Sequence, residues 1–190
     1  MGAIARTSLR EGAFRSAAGA SLPAVQRTLP ELGSGDIARG VPGKADWLGD
    51  RLSLVGFKSS QPVLLSDATT SEDRTWRAGG VSRLMNVILR AAKQLGTELI
   101  FESAGPVLWD RVQQQLQGFM TRLWDAGALS GATPREAFQV RCDATTMTQS
   151  DIDAGRTVAT IAFSAAQPIE RILVTLALTE PPPTASREAA

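Results

Sequence analysis

The chain has 190 residues, 43% hydrophobic and 21% charged, a length and balance that fit one compact globular domain. Its 20 Lys and Arg against 19 Asp and Glu leave a formal charge of +1, too small to steer nucleic acid or an anionic membrane surface. Histidine is absent, which removes Ser-His-Asp and Cys-His catalysis, His-ligated zinc and imidazole proton shuttling. The single cysteine, Cys142, has no partner for an intrachain disulfide, and this usage reads as cytoplasmic synthesis. Arg6, Arg10 and Glu11 stand where a signal peptide needs an apolar run. Arg6 also occupies the position where a myristoylation pattern needs Ser or Thr. No apolar stretch approaches the roughly 20 residues that span a bilayer.

Residues 1–46 carry Gly2, Gly12, Gly19, Gly33, Gly35, Gly40 and Gly43 with Pro23, Pro30 and Pro42, so this region reads as loops with short strands. The cluster at Gly33, Gly35 and Gly40 is not followed by Gly-Lys-Ser/Thr and reads as turns rather than a phosphate loop. Residues Arg51 to Phe57 alternate as a strand, followed by a polar loop to about Thr75. Val81, Leu84, Met85, Ile88, Ala92 and Leu95 then recur at helical spacing, which predicts an amphipathic helix ended by Gly96, with Arg83, Asn86, Arg90 and Lys93 off its apolar stripe. Residues Thr97 to Phe101 suit a short buried strand. A second helix starts at Pro106, with Leu108, Val112, Leu116, Phe119, Met120 and Leu123 as its stripe and Gly127 as its C-cap. Its aromatic residues Trp109, Phe119 and Trp124 read as core. Phe138 to Cys142 alternates with Cys142 inward, and two further strands cover Thr157 to Phe163 and Ile169 to Leu178. In the last, Ile172, Val174, Leu176 and Leu178 share one face, and Arg171, Leu173, Thr175 and Ala177 the other. Residues 179–190 have nothing to bury and read as a disordered tail. The fold class is α+β: a mixed β-sheet carrying two main amphipathic helices, plus a C-terminal strand arm at 169–178, all within a single domain of residues 1–178.

Asp151 and Asp153, with Gly155 beside them, look like the opening of a calcium loop, but the twelfth position counted from Asp151 is Ala162 and the fifth is not acidic. A carboxylate-based hydrolase using Asp151 and Asp153, with Arg156 stabilising charge, lacks a third acid, a base or a phosphate-binding element. The structural alternative is that these aspartates cap a turn before the strand at Thr157 and that Arg156 pairs with one of them. Cys142, without a histidine partner, reads as a small buried hydrophobe. Arg77, Arg83, Arg90 and Lys93 form either a solvated face or a contact surface for an acidic partner.

The segment Gly127 to Asp143, continuing through Thr146, Met147, Thr148, Gln149, Ser150, Asp151, Ile152, Asp153, Ala154, Gly155 and Arg156, resembles the C-terminal conserved domain of tail sheath proteins of contractile phages, R-type pyocins and extracellular contractile injection systems. Glu102, Pro106, Leu108, Trp109, Leu123 and Trp124 resemble the family's acidic turn and Trp-bearing helix. Asp73, Trp76, Arg77, Val81, Arg83 and Leu84 resemble its Asp-x-x-Trp-Arg segment. The opening Gly2 to Thr7 with Gly12 is similar to the start of that domain, with Ser8 in place of Asp and Phe14 where Trp is common. Residues 29–70 match poorly. The family's subunits normally begin with further domains and an N-terminal arm bearing a Pro-Gly-Val-Tyr-like motif; this chain holds no Tyr, and the arm reads as missing.

The resemblance implies a non-enzymatic structural subunit without metal or cofactor. Such a subunit homo-oligomerises into rings or a helix around an inner tube protein, with a second sheath or baseplate protein as a further partner and neither nucleic acid nor membrane. Its place is a phage tail or an injection particle, made in the bacterial cytoplasm without a signal peptide. It also implies that energy is stored in an extended lattice and that exchanged strands keep neighbours linked. Three roles stay open: a minimal sheath subunit, a sheath-like cap or adaptor that docks on the tube or baseplate without contracting, and one half of a split sheath. Pro168 cannot donate a backbone hydrogen bond and keeps its predecessor extended. Residues Ile169, Arg171, Ile172, Leu173, Val174, Thr175 and Leu176 are therefore the expected inter-subunit strand, against the alternative that they complete the chain's own sheet. Arg77, Arg83, Arg90 and Lys93 are the expected contacts to the tube.

Overall fold

The structure, a computed structural model, describes residues 2–40, 47–99, 102, 105–166 and 172–178. It divides into two compact units, residues 1–86 and 87–190.

In the first unit, helix α1 (Gly2–Glu11) is followed by an irregular segment, a 3-10 turn (Ser34–Ala38) and the one-turn helix α2 (Leu48–Arg51). Strands β1 (Val55–Lys58) and β2 (Gln61–Leu64) form an antiparallel hairpin. Its two-residue loop, Ser59 and Ser60, has φ of 48° and 64°, the all-positive geometry that matches strand twist in tight hairpins. The one-turn helix α3 (Arg74–Arg77) is capped by Asp73, whose carboxylate accepts from the Thr75 amide at 2.8 Å. Helix α4 (Gly79–Glu98) starts in this unit and ends in the second. Its expected stripe is buried throughout: Val81, Leu84, Met85, Ile88, Ala92 and Leu95.

The second unit holds α5 (Pro106–Asp125), the one-turn helix α6 (Pro134–Ala137), β3 (Phe138–Arg141), the short helix α7 (Gln149–Asp153), β4 (Thr157–Phe163) and β5 (Ile172–Leu178). The sheet is antiparallel in the order β3-β4-β5. Phe138 lies opposite Phe163, which in turn lies opposite Ile172, and the β4–β5 ladder runs from there to Thr157 opposite Leu178. Period-2 geometry therefore puts Phe138, Val140, Ala159, Ile161, Phe163, Ile172, Val174 and Leu176 on one face, all of them buried. Helix α5 packs against β3 and β4, with Leu108, Val112, Leu116 and Met120 buried. Pro106 occupies its first turn, and beyond its end Gly127 donates its amide to the Trp124 carbonyl at 2.8 Å.

Several expectations need correction. Residues 2–11 are helical where loops and strands were expected: α1 buries only Thr7, so it has no apolar stripe to announce it. Helix α4 passes through Gly96 to Glu98, which overturns the strand reading at Thr97 and Glu98, while Ile100 and Phe101 lie outside the described residues. One helical glycine costs only about 1 kcal/mol relative to alanine, and Leu95 and the buried Leu99, one turn apart, continue the apolar stripe across it. The supposed polar loop contains β2, and Arg51 is helical rather than extended. Both sheets are antiparallel rather than mixed. The tail at 179–190 lies outside the described residues.

Candidate assembly surface

The loop from Thr146 to Arg156 is a closed set of mutual contacts. Thr146 donates its hydroxyl to the Val158 carbonyl at 2.6 Å, tying the loop to β4. Met147 is buried. Thr148 caps α7: its hydroxyl oxygen accepts from the Asp151 amide at 3.2 Å, and the Asp151 carboxylate accepts from the Thr148 amide at 2.9 Å and hydroxyl at 2.6 Å. This is a reciprocal capping box with Asp at its third position. The other carboxylate oxygen of Asp151 meets Arg156 at 2.7 Å, and Asp153 accepts from the Gln149 side-chain amide at 2.8 Å. Gly155 turns the chain back with φ of 68°, a conformation that costs residues with a Cβ about 1–2 kcal/mol.

Hydrogen bonds from the Thr148 hydroxyl and amide, helped by the Arg156 guanidinium, hold the Asp151 carboxyl below its ordinary range against the opposing effect of desolvation. An aspartate with both oxygens engaged in this way serves as a fixed acceptor. The cap itself is Thr148, with Asp151 as its reciprocal partner at the third helical position and Arg156 as the paired cation, while Asp153, among the described residues, bonds only the Gln149 side chain. Among the described residues no group of three or more Cys, Asp or Glu is placed to hold a metal ion.

Among the described residues strand β5 lies at the edge of the chain's own sheet, paired with β4 over seven register positions. Ile172, Val174 and Leu176 point into the core, while Thr175 is half-buried on the opposite face and Leu173 pairs through its backbone with Ala162. Within a single chain, the strand therefore takes the own-sheet arrangement. Ile169 and Arg171 lie outside the described residues. The outer side of β5 carries backbone groups of an edge strand, the side on which another strand can add.

The four basic residues have different local settings. Arg83 is spent inside the chain: its guanidinium meets the Asp67 carboxylate at 2.6 and 3.3 Å and donates to the carbonyls of Ala13 at 3.0 Å and Arg15 at 2.9 Å. The Asp67 side chain is 3% exposed and that of Arg83 23%, so the Arg83 guanidinium serves as an internal anchor. Arg77 ends α3 and donates to the Glu72 carbonyl at 2.9 Å. Arg90 and Lys93 are exposed on α4, three residues apart and hence on neighbouring positions of one helix face.

Asp67 is the residue that sequence reasoning missed. Nothing in its local pattern separates a buried carboxylate from a loop aspartate, and its partner is 16 positions away. Its only foreshadowing is Gly79, where a Cβ would stand 2.2 Å from the Asp67 carboxylate; glycine there lets α4 begin against that side chain. Cys142 is inward as expected, 1% exposed, with its amide donating to the Gln113 side chain at 3.0 Å. Burial, with Asp143 and Asp110 nearby, pushes its thiol up to about 11, so it is a neutral hydrophobe. Trp124 donates its indole N–H to the Gly131 carbonyl at 3.0 Å, a structural role.

The chain matches no curated protein. Among solved structures it resembles a chain of the anti-feeding prophage baseplate, 6-fold symmetrised, with TM-score 0.76, 26% identity, and coverage of 89% of this chain and 46% of that one. The anti-feeding prophage helical sheath in the contracted state gives TM-score 0.74, 26% identity and the same coverages. The PVC sheath complex of an extracellular contractile injection system, also contracted, shares the fold with TM-score 0.74 and 24% identity, over 88% of this chain and 46% of that one. The chain thus spans less than half the length of these relatives. The family model of the phage tail sheath C-terminal domain matches residues 71–179, more than half of the sequence, including β3, β4, β5 and the capped loop between β3 and β4. The chain belongs to the phage tail sheath C-terminal domain family.

Proposed function

We propose that this chain is a structural, non-enzymatic subunit of a contractile phage-like tail or injection particle, polymerising as sheath rings or a helix around an inner tube. The observation that carries this reading is the agreement between the sheath family match and the overlay on the anti-feeding prophage helical sheath. In this reading the β4–β5 ladder is the joint. A β5 strand supplied by a neighbouring copy can reproduce the same seven antiparallel pairs, because an exchanged element makes the contacts it makes within its own chain. Arg90 and Lys93, both exposed on α4, are the tube-facing cations. Exposed pairs contribute only about 0–1 kcal/mol each, so such a contact holds through repetition around the ring.

Thr160 and Thr175 lie opposite each other across the ladder, which provides a direct test. In a Cys142→Ala background, Thr160→Cys and Thr175→Cys are oxidised in the assembled particle, and the products are separated without reductant. A ladder of covalent multimers is expected for exchanged strands. Monomers containing an internal cross-link would refute strand exchange while leaving the sheath reading in place. Electron microscopy of the purified protein tests that wider reading: tubes or stacked rings support it, and protein that stays monomeric with and without an inner tube overturns it.

A further inference from the structure

Residues 12–17 run as an irregular strap between α1 and the rest of the first unit. They carry little apolar anchorage, since Ala17 is the one buried residue among them. What holds the strap is polar and charged. Arg83 donates to its carbonyls at Ala13 and Arg15. The Asp67 carboxylate, besides its two contacts with Arg83, accepts from the Ala17 amide at 2.8 Å. The two charged side chains thus bind each other and the strap. Their backbone footing is separate: Asp67 accepts from the Gly79 amide through its carbonyl at 3.0 Å, and Arg83 lies in the first turns of α4. Helix α1 adds little attachment of its own. It buries Thr7, ties Arg6 to the Ser21 carbonyl at 2.6 Å, and leaves Leu9 88% exposed.

We propose that Asp67 and Arg83 form a latch for this strap, and that α1 with residues 12–17 detaches as one piece when the latch opens, while the β1–β2 hairpin and α4 stay folded. Local opening is favoured where few apolar contacts back the hydrogen bonds, and here a single ion pair concentrates them. The device is independent of the sheath reading. It makes the N-terminal helix a movable element on a fixed body.

Arg83→Lys is the informative variant, because lysine keeps a cation beside Asp67 but lacks the fork that reaches both carbonyls. The measurements are trypsin cleavage after Arg10 and Arg15 and hydrogen exchange at the Ala17 amide, compared with exchange in α4 beyond its first turn. Losing two charge-assisted bonds predicts cleavage and Ala17 exchange faster by about tenfold or more, with exchange in α4 unchanged. Unaltered cleavage, or acceleration that spreads equally through α4, would overturn the latch. If the variant does not fold, native-state exchange of the unmodified protein in mild urea decides the matter. Amides of residues 13–18 opening below the global transition support the proposal, and opening only with the whole unit refutes it.

Discussion

Truncating Leu176 to alanine tests whether β5 completes the core of the isolated chain. Leu176 is fully buried on the inner face of the edge strand and lies opposite Ala159, itself fully buried. Removing its isopropyl group leaves two alanines facing each other across the ladder, and neither can swing into the space. The cost should therefore fall toward the upper half of the 2–5 kcal/mol range for buried Leu→Ala changes, at about 3–4 kcal/mol. In a chain of this length each kcal/mol lowers the midpoint by about 2–4 °C, so thermal unfolding followed by circular dichroism should shift down by about 10 °C. Thr175→Ala, half-buried on the other face, provides the control, and its effect should stay within about 1 kcal/mol. Both measurements are made where size-exclusion chromatography shows monomer. A loss below about 1 kcal/mol for Leu176→Ala would show that β5 is not packed against β4 in the free subunit.

The Cys142 thiol, pushed up to about 11 by burial, should stay protonated at pH 8 and react with a disulfide reagent at least about a hundredfold more slowly in the native protein than in denaturant; equal rates would contradict its inward position. Burial raises the Asp67 carboxyl, but its bonds to Arg83 and Ala17 outweigh this and leave it below the ordinary value of 3.8. A depressed folded value contributes stability that is present above pH 3.8 and lost as pH falls through the folded value, so Asp67→Asn should flatten the acid limb of a stability–pH curve below about pH 4. An acid limb unchanged in that variant would refute the assignment. Charge reversal at Arg90 and Lys93, both exposed on α4, should leave the thermal midpoint within a few degrees of the parent and weaken association with an acidic inner tube, more at low salt than at high. Identical tube binding at every salt concentration would remove these two residues from the interface.

Where the sequence carries a long regular period, the structure follows it. The 3.6-residue stripe gives α5, started by Pro106, and the alternating apolar runs give β4 at Thr157–Phe163 and β5 at Ile172–Leu178. The failures have separate physical causes. Ser59 and Ser60 adopt the positive-φ hairpin turn without the Asn-Gly or Asp-Gly signal that announces it, so β2 was hidden. The run Leu99-Ile100-Phe101 is too short for periodicity to separate a helix end from a strand. The pairing of Arg156 with an aspartate was legible because its partner is five residues away, whereas the Thr148 cap and the short helix α7 behind it were not read, since five residues carry no apolar period. The Asp67–Arg83 pair was not legible either, since it is made by tertiary contact between residues whose own neighbourhoods look solvated.

The loop from Thr146 to Arg156 also bears on how assembly mutants of this chain are to be interpreted. Thr148, Asp151 and Arg156 bind one another, and Thr146 binds β4. This stretch, which lies within the family match, is thus spent on holding a turn in shape. A screen for subunits that fail to polymerise will therefore collect substitutions here that act by lowering the supply of folded protein. Such mutants should be rescued by raising expression or lowering temperature, whereas defects in a true contact surface should persist at any dose.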